Sequence, residues 1–215
     1  MKERKLKTYK EELRSNELKD YFVNWDDISQ KDVNKLIKKL ETSSNESEMQ
    51  KFFEENPIFL IQQLRGGHGR WVISKKRLGS EFIIDFLIGE SHSFGYDWVA
   101  IELESPKAKM FNKNGDLNKA LNHAIRQIQD WRSWLTRNQD YAERSIAQNG
   151  LGLININPNL EGLIIIGRES DIDNNTNDRR RQYVSTLNIK IHTYDWLVRI
   201  FQGRLDALSR NKKQE

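Results

Sequence analysis

Three acidic residues interrupt two apolar segments of the chain and are the first candidates for chemistry. Asp85 lies in "EFIIDFLIG", and Glu102 and Glu104 lie two residues apart in "WVAIELESPK". If the two segments pair as a hairpin centred near Ser93, Asp85 and Glu102 lie almost opposite one another. Glu102 and Glu104 share one face of a strand because its side chains repeat every two residues. The sequence therefore predicts three carboxylates at one edge of a sheet.

A divalent cation would relieve the repulsion among these carboxylates in a low dielectric. Hard oxygen ligands on paired strands suit Mg²⁺ or Mn²⁺. Lys107 follows the Ser105-Pro106 bend and could hold or polarise a water beside the cation. Attack of the activated water on a phosphodiester is the reaction that this set favours. The alternative is that the glutamates only keep the sheet edge soluble, with Glu104 in a surface pair with Lys107 or Lys109.

The segments around these residues indicate a mixed α/β fold. "SEMQKFFEENPIFL" has apolar residues at helical spacing, and "WVISKKRLG", "EFIIDFLIG" and "WVAIELES" are typical of strands. A helical stripe runs from Leu117 to Leu135, and "LEGLIIIGR" is typical of a strand buried on both faces. A helix, a strand and a closing helix follow. This order predicts a central mixed β-sheet flanked by helices.

Composition divides the chain into three regions. Residues 1–43 are dense in charge, and we expect a helical N-terminal extension that could act as an oligomerisation arm. Residues 44–209 are expected to form the core domain, and residues 210–215 a polar tail.

Overall composition excludes several classes of protein. The formal net charge of +4 does not by itself indicate a polyanionic partner. The chain has no cysteine, which excludes disulfides, thiolate zinc sites and cysteine nucleophiles, and its four histidines are too dispersed to suggest a metal site. It shows neither a signal-peptide core nor a run approaching the roughly 20 apolar residues of a membrane span. We therefore expect a cytoplasmic protein with no membrane partner.

An aspartate on one strand, a hairpin and a second acid on the next strand resemble the PD-(D/E)XK restriction-endonuclease-like superfamily. More narrowly, six segments in order resemble the Shedu nuclease domain of bacterial antiphage defence: "EMQKFFEENPIFL", "EFIIDFLIG", "WVAIELESPKAKMF", "ALNHAIRQIQDW", "GLIIIGR" and "IKIHTYDWL". The resemblance covers about residues 46–203. It implies a restriction-endonuclease-like core, Mg²⁺- or Mn²⁺-dependent cleavage of DNA, and a homo-oligomer.

The resemblance also implies roles for individual residues. Asp85 and Glu102 would be metal ligands. Glu48, on the helix before the strands, would be an additional acidic ligand, with a solvated surface charge as the alternative. Gln127 matches a glutamine that exonuclease-type members often have near the start of the helix after the catalytic strand. The alternative for Gln127 is an amide on the flank of the helix, bonded to backbone or water.

Glu104 departs from the superfamily pattern, which would have lysine at this position. Lys107 could take over the role of that lysine from a shifted position, or Glu104 could become a further metal ligand. In a third case the site no longer cleaves, and the chain is an inactive nucleic-acid-binding or assembly subunit with the same fold. A purely structural domain would require the carboxylates to be exposed and far apart.

Basic residues predict DNA as a partner. Such residues contact phosphates and position a nucleic acid without reading its sequence. The alternative is that these charges simply form a solvated face. The candidates are Lys75, Lys76, Arg77, Lys109, Lys113, Arg179 and Arg180.

Overall fold

A computed structural model describes residues 17–64 and 69–211, apart from the side chain of the last of these. This part of the chain contains five strands and six α-helices, besides short 3₁₀ turns. The strands are β1 (Gly69–Leu78), β2 (Phe82–His92), β3 (Gly95–Leu103), β4 (Glu161–Ile165) and β5 (Ile189–His192). The helices are α1 (Gln30–Thr42), α2 (Glu46–Glu55), α3 (Ile58–Ile61), α4 (Lys119–Glu143), α5 (Asn174–Leu187) and α6 (Tyr194–Asn211).

The five strands form one open mixed sheet in the order β1-β2-β3-β4-β5. The first three strands are antiparallel neighbours joined by tight turns. Strands β3, β4 and β5 run parallel, because α4 and α5 carry the chain back between them. The expected mixed α/β fold with helices around a central sheet is confirmed.

Both faces of the sheet are covered, as the apolar run of β4 predicts. Leu163 and Ile165 pack into one hydrophobic cluster, and Ile164 packs into the other. This alternation follows from the two-residue period of a strand. One cluster lies under α4, and the second lies under α2, α3 and α6.

Helix α4 carries the long apolar stripe that the sequence indicates. Its buried residues include Leu121, Ile128 and Trp131. The helix begins two residues later than the start of the stripe. Leu117 instead forms an isolated bridge with Phe111, and the Asn118 side chain caps the helix by accepting from the Ala120 N–H.

The N-terminal extension is only partly described. Its second half forms α1, whose Val33, Leu36 and Leu40 are buried in the same cluster as Phe53 of α2. Helix α1 is therefore packed onto the core. Residues 1–16 of the predicted extension, and 212–215 of the predicted tail, lie outside the described residues, so the boundaries at 43 and 209 stay predictions. Within the described ranges, no helix combines the length and apolar character that a membrane crossing requires.

Candidate functional site

Asp85 lies where the β2–β3 ladder ends. The last paired residues are Phe86 and Ile101, so the next step of the same register sets Asp85 against Glu102. The hairpin pairing predicted around Ser93 is therefore present. At this step the Asp85 side chain replaces a backbone acceptor, since the Leu103 N–H donates to Asp85 Oδ2 at 3.0 Å. This bond fixes the Asp85 carboxylate beside the carboxyl end of β3.

Lys75 of β1 approaches Asp85 from the other side. It lies between the residues that pair with Phe86 and Ile84 of β2, which sets it directly across from Asp85. Its Nζ is 2.5 Å from Asp85 Oδ1, and its side chain remains 47% exposed. The backbone of Lys75 has φ of +46°, a left-handed conformation that costs about 1–3 kcal/mol in a non-glycine residue. A charged side chain is held at this position despite that cost.

Glu102 is the most deeply buried acid of the group, at 5% relative exposure. Gln127 of α4 donates its amide N–H to Glu102 Oε1, whereas Oε2 has no hydrogen-bond partner among the described residues. Burial, with the charges of Asp85 and Glu104 next, raises the pKa of Glu102 to about 10. Without a compensating cation, this carboxyl group is therefore protonated at neutral pH.

Glu104 follows the last residue of β3 and is 8% exposed. Its backbone N–H donates to the Ile165 carbonyl at 2.9 Å, and its own carbonyl accepts from the Tyr194 hydroxyl at 2.7 Å. Burial, with the charges of Glu46 and Asp85 next, raises the pKa of Glu104 to about 7. The residue is therefore a rigidly held acid at the carboxyl end of a parallel strand, where open α/β sheets place their ligands.

Glu46, rather than the predicted Glu48, is the helix acid beside this cluster. Its charge raises the pKa values of Glu102 and Glu104, and its own pKa is raised by loss of hydration and by Asp85. Glu48 is engaged elsewhere, where it accepts from Ser44 and Asn45 at the start of α2. The placement predicted for Glu48 is therefore wrong, because the side chain closes the helix terminus instead of facing the sheet.

Lys107 lies apart from the carboxylates, and its expected role in holding a water beside a cation stays a prediction. Its backbone N–H donates to Ser105 Oγ and the residue is exposed, but no hydrogen bond or ion pair joins its ammonium to a carboxylate within the described residues. Lys75, predicted only as a DNA contact, is the lysine that touches the acidic cluster.

The other predicted DNA contacts differ in accessibility. Lys76 is half-buried, donates to the Leu151 carbonyl at 3.2 Å, and has a pKa lowered by burial, so it is poorly placed to bind a phosphate. Arg77, Lys109 and Lys113 are exposed. The two α5 arginines among the candidates are half-buried: Arg179 lies over the Phe111 ring at 5.9 Å, and Arg180 donates to Asn177 at 2.9 Å. No contact of these six residues tests DNA binding, which stays a prediction.

A cation site in this cluster would rest on few ligands. Among the described residues, no group of three or more acidic or histidine side chains is arranged to hold a metal ion. The donor chemistry nevertheless fits Mg²⁺, which usually takes one or two carboxylates and keeps several waters. Glu102 Oε2 is a buried oxygen without a partner, and Asp85 lies opposite it. Of the four predicted carboxylates, the structure brings Asp85, Glu102 and Glu104 together and places Glu48 elsewhere, and metal binding stays a prediction.

The sequence contained a signal for each of the two residues, Glu46 and Lys75, whose place beside the acids was not predicted. Glu46 shares one helical stripe with Met49, Gln50 and Phe53, all buried, and Glu48 lies off that stripe. Lys75 and Asp85 are equally distant from Ser80 in the turn between β1 and β2. Counting from that turn would have paired them.

A cavity of about 470 Å³ lies at the opposite ends of β3 and β4, away from the acids. Amide side chains such as Asn155, Asn157 and Asn188 line much of it. No residue predicted for the site is among its lining residues, so it is separate from the acidic cluster.

The fold and site define an α/β protein whose mixed sheet carries buried acids at one edge. Residues 43–198 match the family model described as "Shedu protein SduA, C-terminal". The match covers most of the chain, so the protein belongs to the SduA C-terminal family, which is associated with Shedu-type antiphage defence. Among curated proteins, no relative matches the sequence.

Proposed function

We propose that this protein is a metal-dependent DNA endonuclease of the PD-(D/E)XK type that acts in antiphage defence. The observation that carries the proposal is Glu102: a buried carboxyl group beside Asp85, with one oxygen bonded to Gln127 and the other lacking a partner. Buried polar atoms without a partner are uncommon in native structures, and strongly shifted pKa values cluster at functional sites. Family membership supports the defence role.

In this proposal Asp85 and Glu102 hold Mg²⁺ or Mn²⁺. The bound ion would supply Lewis-acid activation of water and would neutralise charge on the phosphodiester. Gln127 fixes the orientation of Glu102 through its amide N–H, and the Leu103 N–H fixes Asp85. Glu104 adds negative charge at the mouth of the site.

Lys75 is assigned the role that the sequence analysis predicted for Lys107. Its ammonium is partly exposed and lies at the Asp85 carboxylate, so it can donate to an attacking water or to a phosphate oxygen at the same edge. In this proposal, β1 supplies through Lys75 the lysine that the superfamily pattern would have at position 104. A homo-oligomeric state remains a prediction.

A second candidate function is an inactive nucleic-acid-binding or assembly subunit. It is favoured by the lack of a three-ligand group among the described residues and by glutamate at position 104. The two functions differ in whether purified protein cuts DNA.

The test is cleavage of supercoiled and linear DNA with Mg²⁺, with Mn²⁺ and with chelator. Asp85→Ala and Glu102→Ala should each abolish metal-dependent cutting, and Glu55→Ala, an exposed acid at the end of α2, should not. Equal cutting by the parent and both site variants would reject the assignment. Intact DNA binding without cutting under any condition would favour the second candidate.

A further inference from the structure

The first two turns of α4 present a polar face beside the acidic cluster. Lys119, Asn122, His123 and Arg126 are spaced at i, i+3, i+4 and i+7, which aligns them along one side of the helix, and all four are exposed. Together with Glu104 they line a cavity of about 490 Å³. This face therefore opens onto the proposed site.

No acid among the described residues forms an ion pair with the cations on this face. Neither Lys119 nor Arg126 has an ion pair with any described residue. Elsewhere on the surface, Arg168 pairs with Asp195 and Lys190 pairs with Glu161. Unpaired cations that line a cavity leave charge available for an anionic ligand.

The position of Lys119 also points to an anion. It is the first residue of a 25-residue helix whose first turn contains no acid. Helix N-termini favour negative charge, so a lysine here works against the stability of the helix. The same charge, together with the helix dipole, attracts an anion bound at this end.

The face leads directly to the acidic cluster. Arg126 is adjacent in sequence to Gln127, which donates to Glu102. His123 is close enough to Glu46 to influence its pKa. A ligand that follows α4 from Lys119 to Arg126 therefore ends beside the carboxylates.

We propose that this face of α4 binds successive phosphates of one nucleic-acid strand and guides it into the acidic site. The rise from Lys119 to Arg126 is about 10 Å, at 1.5 Å per residue. One strand of duplex DNA advances about 3.4 Å per nucleotide, so the face spans roughly three nucleotides. Because Lys119 and Arg126 are about 10 Å apart along the helix, a single small anion would contact only one of them. The inference rests on the proposed function for the identity of the substrate, and it adds the route by which the strand enters.

The test is the salt dependence of DNA binding, measured by fluorescence anisotropy with labelled duplex and single-stranded DNA. An Asp85→Asn background with chelator prevents cutting. Each lost phosphate contact lowers the slope of log K against log salt by about 0.9 for duplex and about 0.7 for single strands. We expect Lys119→Gln/Arg126→Gln to reduce the slope by about 1.8 for duplex or about 1.4 for single strands.

The control is Lys31→Gln/Lys38→Gln on α1. This pair has the same seven-residue spacing and is also exposed, but α1 packs in the cluster on the opposite face of the sheet. Its slope should equal that of the parent. The exchange Lys119→Arg/Arg126→Lys keeps both charges and should also preserve the slope, which separates loss of charge from misfolding.

An unchanged slope in Lys119→Gln/Arg126→Gln, an equal fall in the α1 control, or no DNA binding at low salt would overturn the inference. Cleavage by the parent protein with an unchanged slope would overturn this inference and leave the nuclease in place. The expected change in slope with no cleavage would keep this binding face and reject the nuclease.

Discussion

Lys75 Nζ lies 2.5 Å from Asp85 Oδ1, across the β1–β2 ladder. Because Asp85 also sits opposite Glu102, three neighbouring strands place a cation and two acids in one row across the sheet. The charge of Lys75 opposes the rise in the pKa values of both Glu46 and Glu102, so it acts on acids beyond its partner Asp85. The strand that supplies the cation is therefore β1.

Lys75→Met should reduce DNA cleavage by about 100-fold or more, the range found for loss of a group that donates or accepts a proton. Methionine keeps the length of the side chain and the strained backbone, so the change isolates the ammonium. Lys107→Met should leave the rate close to that of the parent. The measurement is single-turnover cleavage with protein in excess, which separates chemistry from DNA binding. Equal losses in the two variants would contradict the assignment of Lys75.

Returning the lysine to β3 should repair the loss. In Lys75→Ala/Glu104→Lys, the new ammonium would stand beside Asp85 and Glu46, whose charges now raise the pKa of Glu104. We expect cleavage well above that of Lys75→Ala alone, measured in the same single-turnover assay. Lys75→Ala/Glu104→Gln serves as the control, since it removes the acid without adding a cation. Equal rates in the two double variants would show that a cation at position 104 cannot replace Lys75.

The sheet was predictable because each strand carries a local signal. β2 and β3 are bounded by turns, and the apolar run of β4 predicted burial on both faces, which the structure confirms. The pairing of Asp85 with Glu102 followed from the hairpin alone. These features depend only on residues close together in the sequence.

The rest of the site depends on how separate elements meet. Glu46 lies beside the cluster because α2 packs on the sheet with Met49 and Phe53 buried. The sequence analysis chose Glu48, which lies on a different face of the same helix. To place Lys75 beside Asp85, the register of the β1–β2 hairpin was also needed. The cavity beside Glu104 needed the position of α4 relative to β3, which no local pattern contains.

Glu102 should make the metal-free protein less stable as pH rises. Its pKa is about 10 in the folded chain against 4.5 in the unfolded chain, so the native state holds the extra proton between these values. Stability from this group is complete below about pH 4.5 and declines as pH rises towards 10. Glu102→Gln should therefore unfold at higher temperature than the parent at pH 8.5 in chelator, with a smaller difference at pH 5. Each unit of pKa difference corresponds to about 1.4 kcal/mol. A parent that is the more stable of the two at pH 8.5 would contradict the raised pKa.

Divalent cations should stabilise the protein, and more so at higher pH. Mn²⁺ or Mg²⁺ must displace the proton of Glu102 to bind, so affinity rises with pH and binding releases a proton. A cation at 100 times its Kd adds about 2.7 kcal/mol to the free energy of unfolding. The gain in Tm should grow from pH 6 to pH 8 and vanish in Asp85→Ala, whereas Glu55→Ala should retain it. A pH-independent gain, or one that persists in Asp85→Ala, would place the bound ion elsewhere.

Glu46 and Glu48, two residues apart on α2, should respond in different ways to loss of charge. Glu46→Gln should lower the pKa of Glu104 from about 7, because the charge of Glu46 is, after burial, the largest cause of that raised pKa. Glu48→Gln should leave that pKa unchanged but lower Tm slightly, since it removes negative charge from the first turn of the helix and leaves one acceptor oxygen for Ser44 and Asn45 where Glu48 offers two. The pKa is measured by NMR titration of carboxyl carbons in chelator, with Glu104→Gln to assign the signal. An unchanged midpoint in Glu46→Gln, or an equal shift in Glu48→Gln, would contradict the position of Glu46 beside the cluster.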